Sequence, residues 1–130
     1  MFEIPRTPWY SLQKGASAEV AAYPRLVDLG EIDTDASVME TAGVLSHLDL
    51  LIACDSGPAH IAGALGACPV WVLLNFLFDP RWCACTEESR RYPHTHRLFQ
   101  QDEPGQWDPV IEQVTYELAD AIAAGAVRRS

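Results

Sequence analysis

Asp55, Ser56, Gly57, Pro58 and His60 follow directly on the apolar run Leu50-Leu51-Ile52-Ala53-Cys54. Two kinds of chemistry suit that junction. In the first, Asp55 or Ser56 caps the next helix by accepting a hydrogen bond from its early N–H groups, Pro58 favours the first turn, and His60 is a half-buried neighbour. In the second, the unpaired amides of residues 57–60 carry about half a positive charge from the helix dipole. Gly57 would then let an anion come close to the backbone, and the junction would hold a phosphate. Lys14, at the end of an earlier short run, reads either as a solvated surface cation or as a second charge for the same anion. Together with the turn, it favours the anion site.

The elements that must position these residues alternate along the chain. Trp9-Tyr10-Ser11-Leu12 is a β-favouring run ending at Lys14-Gly15, and Ala16 to Ala22 has the composition of a short helix. Arg25 to Leu29 reads as a second strand closed by Gly30. Asp33, Thr34, Asp35 and Ser37 offer caps for a helix whose Val38, Ala42, Leu45 and Leu48 share one face. Leu50 to Cys54 and Pro69 to Leu74 show no polar alternation, as expected of parallel strands covered on both sides. Between them Pro58 to Leu65 predicts an Ala-rich helix ended by Gly66. Arg97-Leu98-Phe99 suggests a short edge strand. Asp108 as N-cap and Pro109 then open a last helix with Val110, Ile111, Val114, Leu118, Ala121 and Ile122 as its apolar stripe. The fold class expected is α/β, a Rossmann-like three-layer α/β/α domain with a mostly parallel sheet of four to five strands and right-handed crossovers.

A chain of 130 residues, 48% of them hydrophobic, is the size of a single domain, 1–130. Its formal net charge of −9 argues against nucleic acid, because that partner needs clustered Lys and Arg. No segment approaches the ~20 apolar residues of a membrane span, and Glu3, Pro5 and Arg6 stand where a signal peptide would be apolar, so the expected compartment is the cytoplasm. Cys54, Cys68, Cys83 and Cys85 lack the C-x-x-C spacing of a zinc knuckle and read as reduced thiols, with Cys83-Ala84-Cys85 the metal or redox alternative. His94 and His96 could form a metal pair, but no third ligand is in sight, and they read as solvated loop histidines.

Several motifs occur in a fixed order. They are Ser11-Leu12-Gln13-Lys14-Gly15, the stretch from Asp55-Ser56-Gly57-Pro58-Ala59-His60 to Gly66, Pro69 to Leu74, Asp79-Pro80-Arg81-Trp82, Tyr92-Pro93 and Arg97 to Gln101. From about Trp9 to Ala121 the chain resembles the C-terminal, donor-binding half of bacterial GT-B glycosyltransferases related to the lipopolysaccharide heptosyltransferases, especially those carrying tetratricopeptide repeats. The resemblance implies transfer of a sugar from a nucleoside-diphosphate donor to an acceptor hydroxyl. It places the donor diphosphate on the Asp55-Ser56-Gly57-Pro58 turn and the helix amides behind it, with His60 facing the same pocket. Lys14 would pair with phosphate and stabilise the leaving nucleoside diphosphate, and no metal or other cofactor is required. Glu40 and Thr41 fall where relatives contact donor sugar or base. Trp82 matches the second aromatic of an Asp-Trp-Arg-Trp motif in which Pro80 replaces the first; its alternative is a loop aromatic tucked onto the core. Glu88 to Pro93 departs from the usual Asp-Ser-Pro-Trp-Tyr-Pro.

By the same resemblance the family's first strand and its acceptor half, which would supply the general base, do not precede the Tyr10 strand. The catalytic residues are therefore unassigned, and the expected partners are the sugar nucleotide, an acceptor domain or chain, and a second copy. In the usual strand order the missing strand is central. The expectation is a rearranged sheet, a homodimer that fills the gap, or a longer chain. Alternative readings are a non-catalytic sugar-nucleotide-binding module and a relative of the sugar-nucleotide epimerases; Pro58-Ala59-His60 and the Trp82 region argue against the latter.

Overall fold

The computed structural model describes residues 4, 7–35, 37–82 and 89–127. Within them the elements are β1 (Trp9–Ser11), α1 (Ser17–Val20), β2 (Leu26–Asp28), α2 (Met39–Leu45), β3 (Leu51–Cys54), α3 (Gly57–Leu65), β4 (Val70–Leu74), β5 (His96–Gln100) and α4 (Asp108–Ala123), with a 3₁₀ turn at Pro80–Trp82. The alternation is the one expected of an α/β chain.

The apolar runs behave as strands covered on both faces. In β4, Val70, Val72 and Leu74 join a core with Leu51 of β3, Leu98 of β5, Leu45 of α2 and Ala59 and Ala62 of α3. The intervening Trp71 and Leu73 point the other way, to Phe99 and to Val110 and Val114 of α4. A period of two thus sorts one continuous hydrophobic run into two cores, with α2 and α3 on one face and α4 on the other. In α4, Val110, Val114, Leu118 and Ile122 are buried at four-residue intervals. Asp108 is the first residue of that helix and not its cap; Trp107 precedes it and no side chain caps the end. The Asp108 charge still suits the first turn.

All three strand pairings are parallel, but the strands form two sheets where one was expected. β1 pairs with β2, and β3-β4-β5 form the other sheet in that order. Among the described residues no ladder joins β1 to β3. The small sheet buries little, with Tyr10 46% and Val27 47% exposed, and Leu12 ties it to the main core. Beside it Tyr10, Leu29, Val44, Leu48, His47 and Glu40 line a groove of about 440 Å³ between the small sheet and α2.

Candidate functional site

β3 ends at Cys54, and the chain turns at once into α3. Ser56 occupies the cap position in extended conformation (φ −156°, ψ 164°), yet its hydroxyl donates back to the Cys54 carbonyl at 3.0 Å, and no side chain caps the helix. The capping reading of Asp55 and Ser56 is therefore corrected. Pro58 carries no N–H, and the His60 N–H reaches the Ser56 carbonyl at 3.4 Å, which leaves the amides of Gly57 and Ala59 as the uncapped pair. A Cβ at Gly57 would meet nothing within 4 Å, so the backbone lies open there.

Asp55 turns instead to His60. His60 Nε2 lies 3.3 Å from Asp55 Oδ1, and His60 Nδ1 lies 3.2 Å from the Tyr92 hydroxyl. The imidazole stacks on the fully buried indole of Trp82, with centroids 4.9 Å apart and planes 19° from parallel. Behind it lies His96, which is 3% exposed and has its ring 4.6 Å from that of Tyr92 and 5.9 Å from that of Trp82. His96 is thus a buried strand residue and not a solvated loop histidine; its Nε2 lies 2.9 Å from the Ala59 carbonyl. Burial, the largest cause, and the neighbouring His60 push the His96 imidazole below the usual histidine range, against the upward pull of that carbonyl. His94 is exposed, in the left-handed region at φ 75°.

A cation stands by this cluster. Arg81 pairs with Asp79 at 2.9 Å. Its guanidinium is held above its ordinary range first by the Asp79 hydrogen bond and charge, then by Asp55 and Tyr92.

Lys14, Glu40 and Thr41 belong to a second cluster built on Asp33. Asp33, in the left-handed region at φ 52° and 5% exposed, accepts from the Glu40 and Thr41 N–H groups at 2.9 and 3.3 Å and from the Thr41 hydroxyl at 2.5 Å. Glu40 returns the contact by accepting from the Asp33 N–H at 2.5 Å. This is a reciprocal cap in the manner of a capping box, reached from six residues upstream of α2. The Thr41 hydroxyl above all, and then the two N–H groups and the Lys14 charge, hold the Asp33 carboxyl below the usual carboxylate range, against burial. Lys14 Nζ donates to the Asp33 carbonyl at 3.3 Å.

No family model matches this chain, and neither a curated protein nor a solved structure matches it. Geometry alone therefore sorts the residues singled out from sequence. It brings Asp55, Ser56, Gly57, Pro58, His60 and Trp82 together at the end of β3, and it groups Lys14, Glu40 and Thr41 around Asp33. Cys83, Cys85 and Glu88 lie outside the described residues. Cys54 and Cys68 are free thiols, and burial pushes the Cys68 thiol up, as suits an inert core position. Among the described residues no group of three or more His, Cys, Asp or Glu is arranged to hold a metal ion. No described helix is long and apolar enough to cross a membrane.

Sequence reasoning assigned no site role to Gly63, named Arg81 and Tyr92 only within motifs, and set His96 aside as a solvated loop residue. Gly63 is the residue that a sequence signal could have marked. A Cβ there would lie 2.6 Å from Tyr92 Cγ and 2.8 Å from His96 Cε1, so a glycine inside a helix marks two rings pressed against it.

Proposed function

We propose that the turn after β3 is the donor site of a glycosyltransferase that moves a sugar from a nucleoside-diphosphate sugar to an acceptor hydroxyl. The observation that carries this reading is the amino end of α3: no side chain caps it, Gly57 opens it, and His60 stands beside it on the Trp82 indole. The ordered motifs by which the chain resembles the heptosyltransferase-like family support the same ligand class. In this reading the Gly57 and Ala59 amides take diphosphate oxygens, with the helix dipole adding to their hold.

Charge on the departing nucleoside diphosphate is taken up by cations of the chain. Arg81 lies by Asp55, and Lys14 is brought to the leaving group if the Asp33 cluster closes on the donor. This scheme routes no charge through a metal. The acceptor and the general base come from a further domain or chain, or from a second copy.

Titration calorimetry with ADP- and UDP-sugars tests the reading, with His60→Ala and Lys14→Ala as controls. Both variants are expected to stay folded and to bind about tenfold more weakly, the scale of one lost hydrogen bond to a charged group. Parent-like binding by both, or none by the parent, overturns the site. A binding module without transfer is the second reading, favoured because both ring nitrogens of His60 are engaged, by Asp55 and by Tyr92, and neither is open to take a proton from an acceptor hydroxyl. Donor hydrolysis or transfer, measured on the same samples, separates the two.

A further inference from the structure

Asp55, His60 and Tyr92 form a chain of carboxylate, imidazole and phenol, with contacts of 3.3 and 3.2 Å on the two ring nitrogens. Hydrogen-bond inventory fixes where the protons lie. An ionised carboxylate only accepts, so the nitrogen facing Asp55 must be the one that carries hydrogen in the neutral ring. That nitrogen is Nε2. Nδ1 is then a bare acceptor, and the group it faces, the Tyr92 hydroxyl, is able to donate. The ring has no rotational freedom to spare, because its face lies on Trp82 and its two edges are both engaged. Tyr92 is held in turn. Its ring rests on Gly63 of α3 and lies 4.6 Å from the ring of buried His96, so the phenol is fixed by packing and not by solvent.

We infer that Tyr92 is a positioning residue: donating to His60 Nδ1, it joins Asp55 in holding the imidazole in the tautomer that turns an N–H toward the mouth of the turn before α3. The inference deepens the donor-site reading and rests on it for the ligand. A phosphoryl oxygen arriving at the Gly57 amide meets a donor beside it. In the other tautomer it would meet a lone pair. The Asp55 contact, at 3.3 Å, is long enough for a phosphate oxygen to share or replace it. Tyr92 therefore acts on the ligand through His60 without touching it.

The test uses ¹⁵N NMR of the histidine rings of the ligand-free chain above about pH 8, where free imidazoles are neutral. His60→Gln assigns the resonance. His60 is expected as the Nε2–H tautomer in the parent and in Asp55→Asn, where the amide can donate or accept at Nε2 and the Tyr92 hydroxyl alone holds the ring. In the double variant Asp55→Asn/Tyr92→Phe, which keeps the ring and its packing, the two tautomers are expected as a mixture. Backbone spectra of each variant report the fold. The same tautomer in folded Asp55→Asn with and without the Tyr92 hydroxyl overturns the inference, as does an Nδ1–H ring in the parent.

Inorganic pyrophosphate is the binding probe. Tyr92→Phe is expected to weaken it about three- to tenfold, the range of one neutral hydrogen bond, and to add nothing once His60 is already Gln. Additive losses in the Tyr92→Phe/His60→Gln variant overturn the route through His60. Failure of the parent to bind pyrophosphate sinks the donor-site reading, while the tautomer spectra still decide the role of Tyr92.

Discussion

Gly63 of α3 lies directly against the ring of Tyr92, so close that a Cβ on Gly63 would sit 2.6 Å from Tyr92 Cγ. Alanine is worth about 1 kcal/mol over glycine in a helix interior, and that gain is expected to lose here. The atoms in the way belong to the root of a ring and to a buried imidazole, and neither can swing aside as a flexible tail could. Gly63→Ala is expected to destabilise the fold by about 1–3 kcal/mol, the range for overpacking. It should also loosen the Tyr92 contact with His60. Urea unfolding measures the first effect. A midpoint equal to or above that of the parent would show that the two rings can move.

Arg81, paired to Asp79, is a cation whose charge is felt by Asp55 at the uncapped end of α3. If that end holds a diphosphate, Arg81→Ala weakens ADP binding about tenfold at low salt. The effect shrinks as salt rises, because an exposed charge is screened over roughly 10 Å at 0.1 M. Calorimetry at two ionic strengths checks both statements. A salt-independent loss would point to packing and not to charge.

How far the sequence carried depended on the range of the forces involved. Continuous apolar runs located β3 and β4, because burial on both faces leaves no polar residue within a run, while Gly, Pro and Asp at the ends marked α3 and, with its apolar stripe, α4. The turn at Asp55 was visible for the same reason. The pairing of Asp55 with His60 in place of a helix cap was not, since both outcomes use the same residues in the same order. The clustering of Tyr92 and His96 with His60 depends on β5 lying beside β4 across a connection of more than twenty residues, and no local period encodes that. Lys14 illustrates the limit from the other side. Its place after a strand was legible, but its partner at Asp33, nineteen residues on, was not.

Thr41 donates its hydroxyl to Asp33, and that bond is the largest cause of the lowered Asp33 pKa. Thr41→Val keeps the shape and removes the donor. The Asp33 carboxyl is then expected to titrate closer to its ordinary value of 3.8. A carboxyl depressed in the folded state stabilises the fold above its unfolded pKa, and that stability is lost as pH falls through the folded value. The variant should therefore lose less stability between neutral pH and acid than the parent does. NMR titration of Asp33, with urea midpoints at several pH values, follows both. An unmoved Asp33 titration would transfer the effect to the backbone N–H groups of Glu40 and Thr41.

β4 is paired on both edges and nearly all of it is buried, whereas β1 and β2 are three residues each and half exposed. Amide exchange is expected to be slowest in β4 and fastest in β1 and β2. β3 pairs only with β4 among the described strands, so the amides on its other edge should exchange early. If a second copy covers that edge, its protection rises with protein concentration while that of β4 stays constant. Concentration-independent exchange along β3 would rule out a homodimer at this edge.

His96 links stability to pH with the opposite chemistry. Buried beside Ala59, its ring is neutral in the folded chain and its pKa lies below the ordinary 6.5. Once unfolded it takes up a proton near 6.5, so below that value the unfolded chain binds a proton that the folded chain refuses. Stability therefore stands at its full value above about 6.5 and falls as pH drops from there toward the lower folded pKa. His96→Gln can keep a donor toward the Ala59 carbonyl and cannot titrate in this range. The expected result is a smaller loss of urea midpoint between about pH 7.5 and about pH 5 in the variant than in the parent. Equal losses in the two proteins would mean that His96 accepts its proton without unfolding, and that the ring cluster around His60 and Trp82 opens to let it do so.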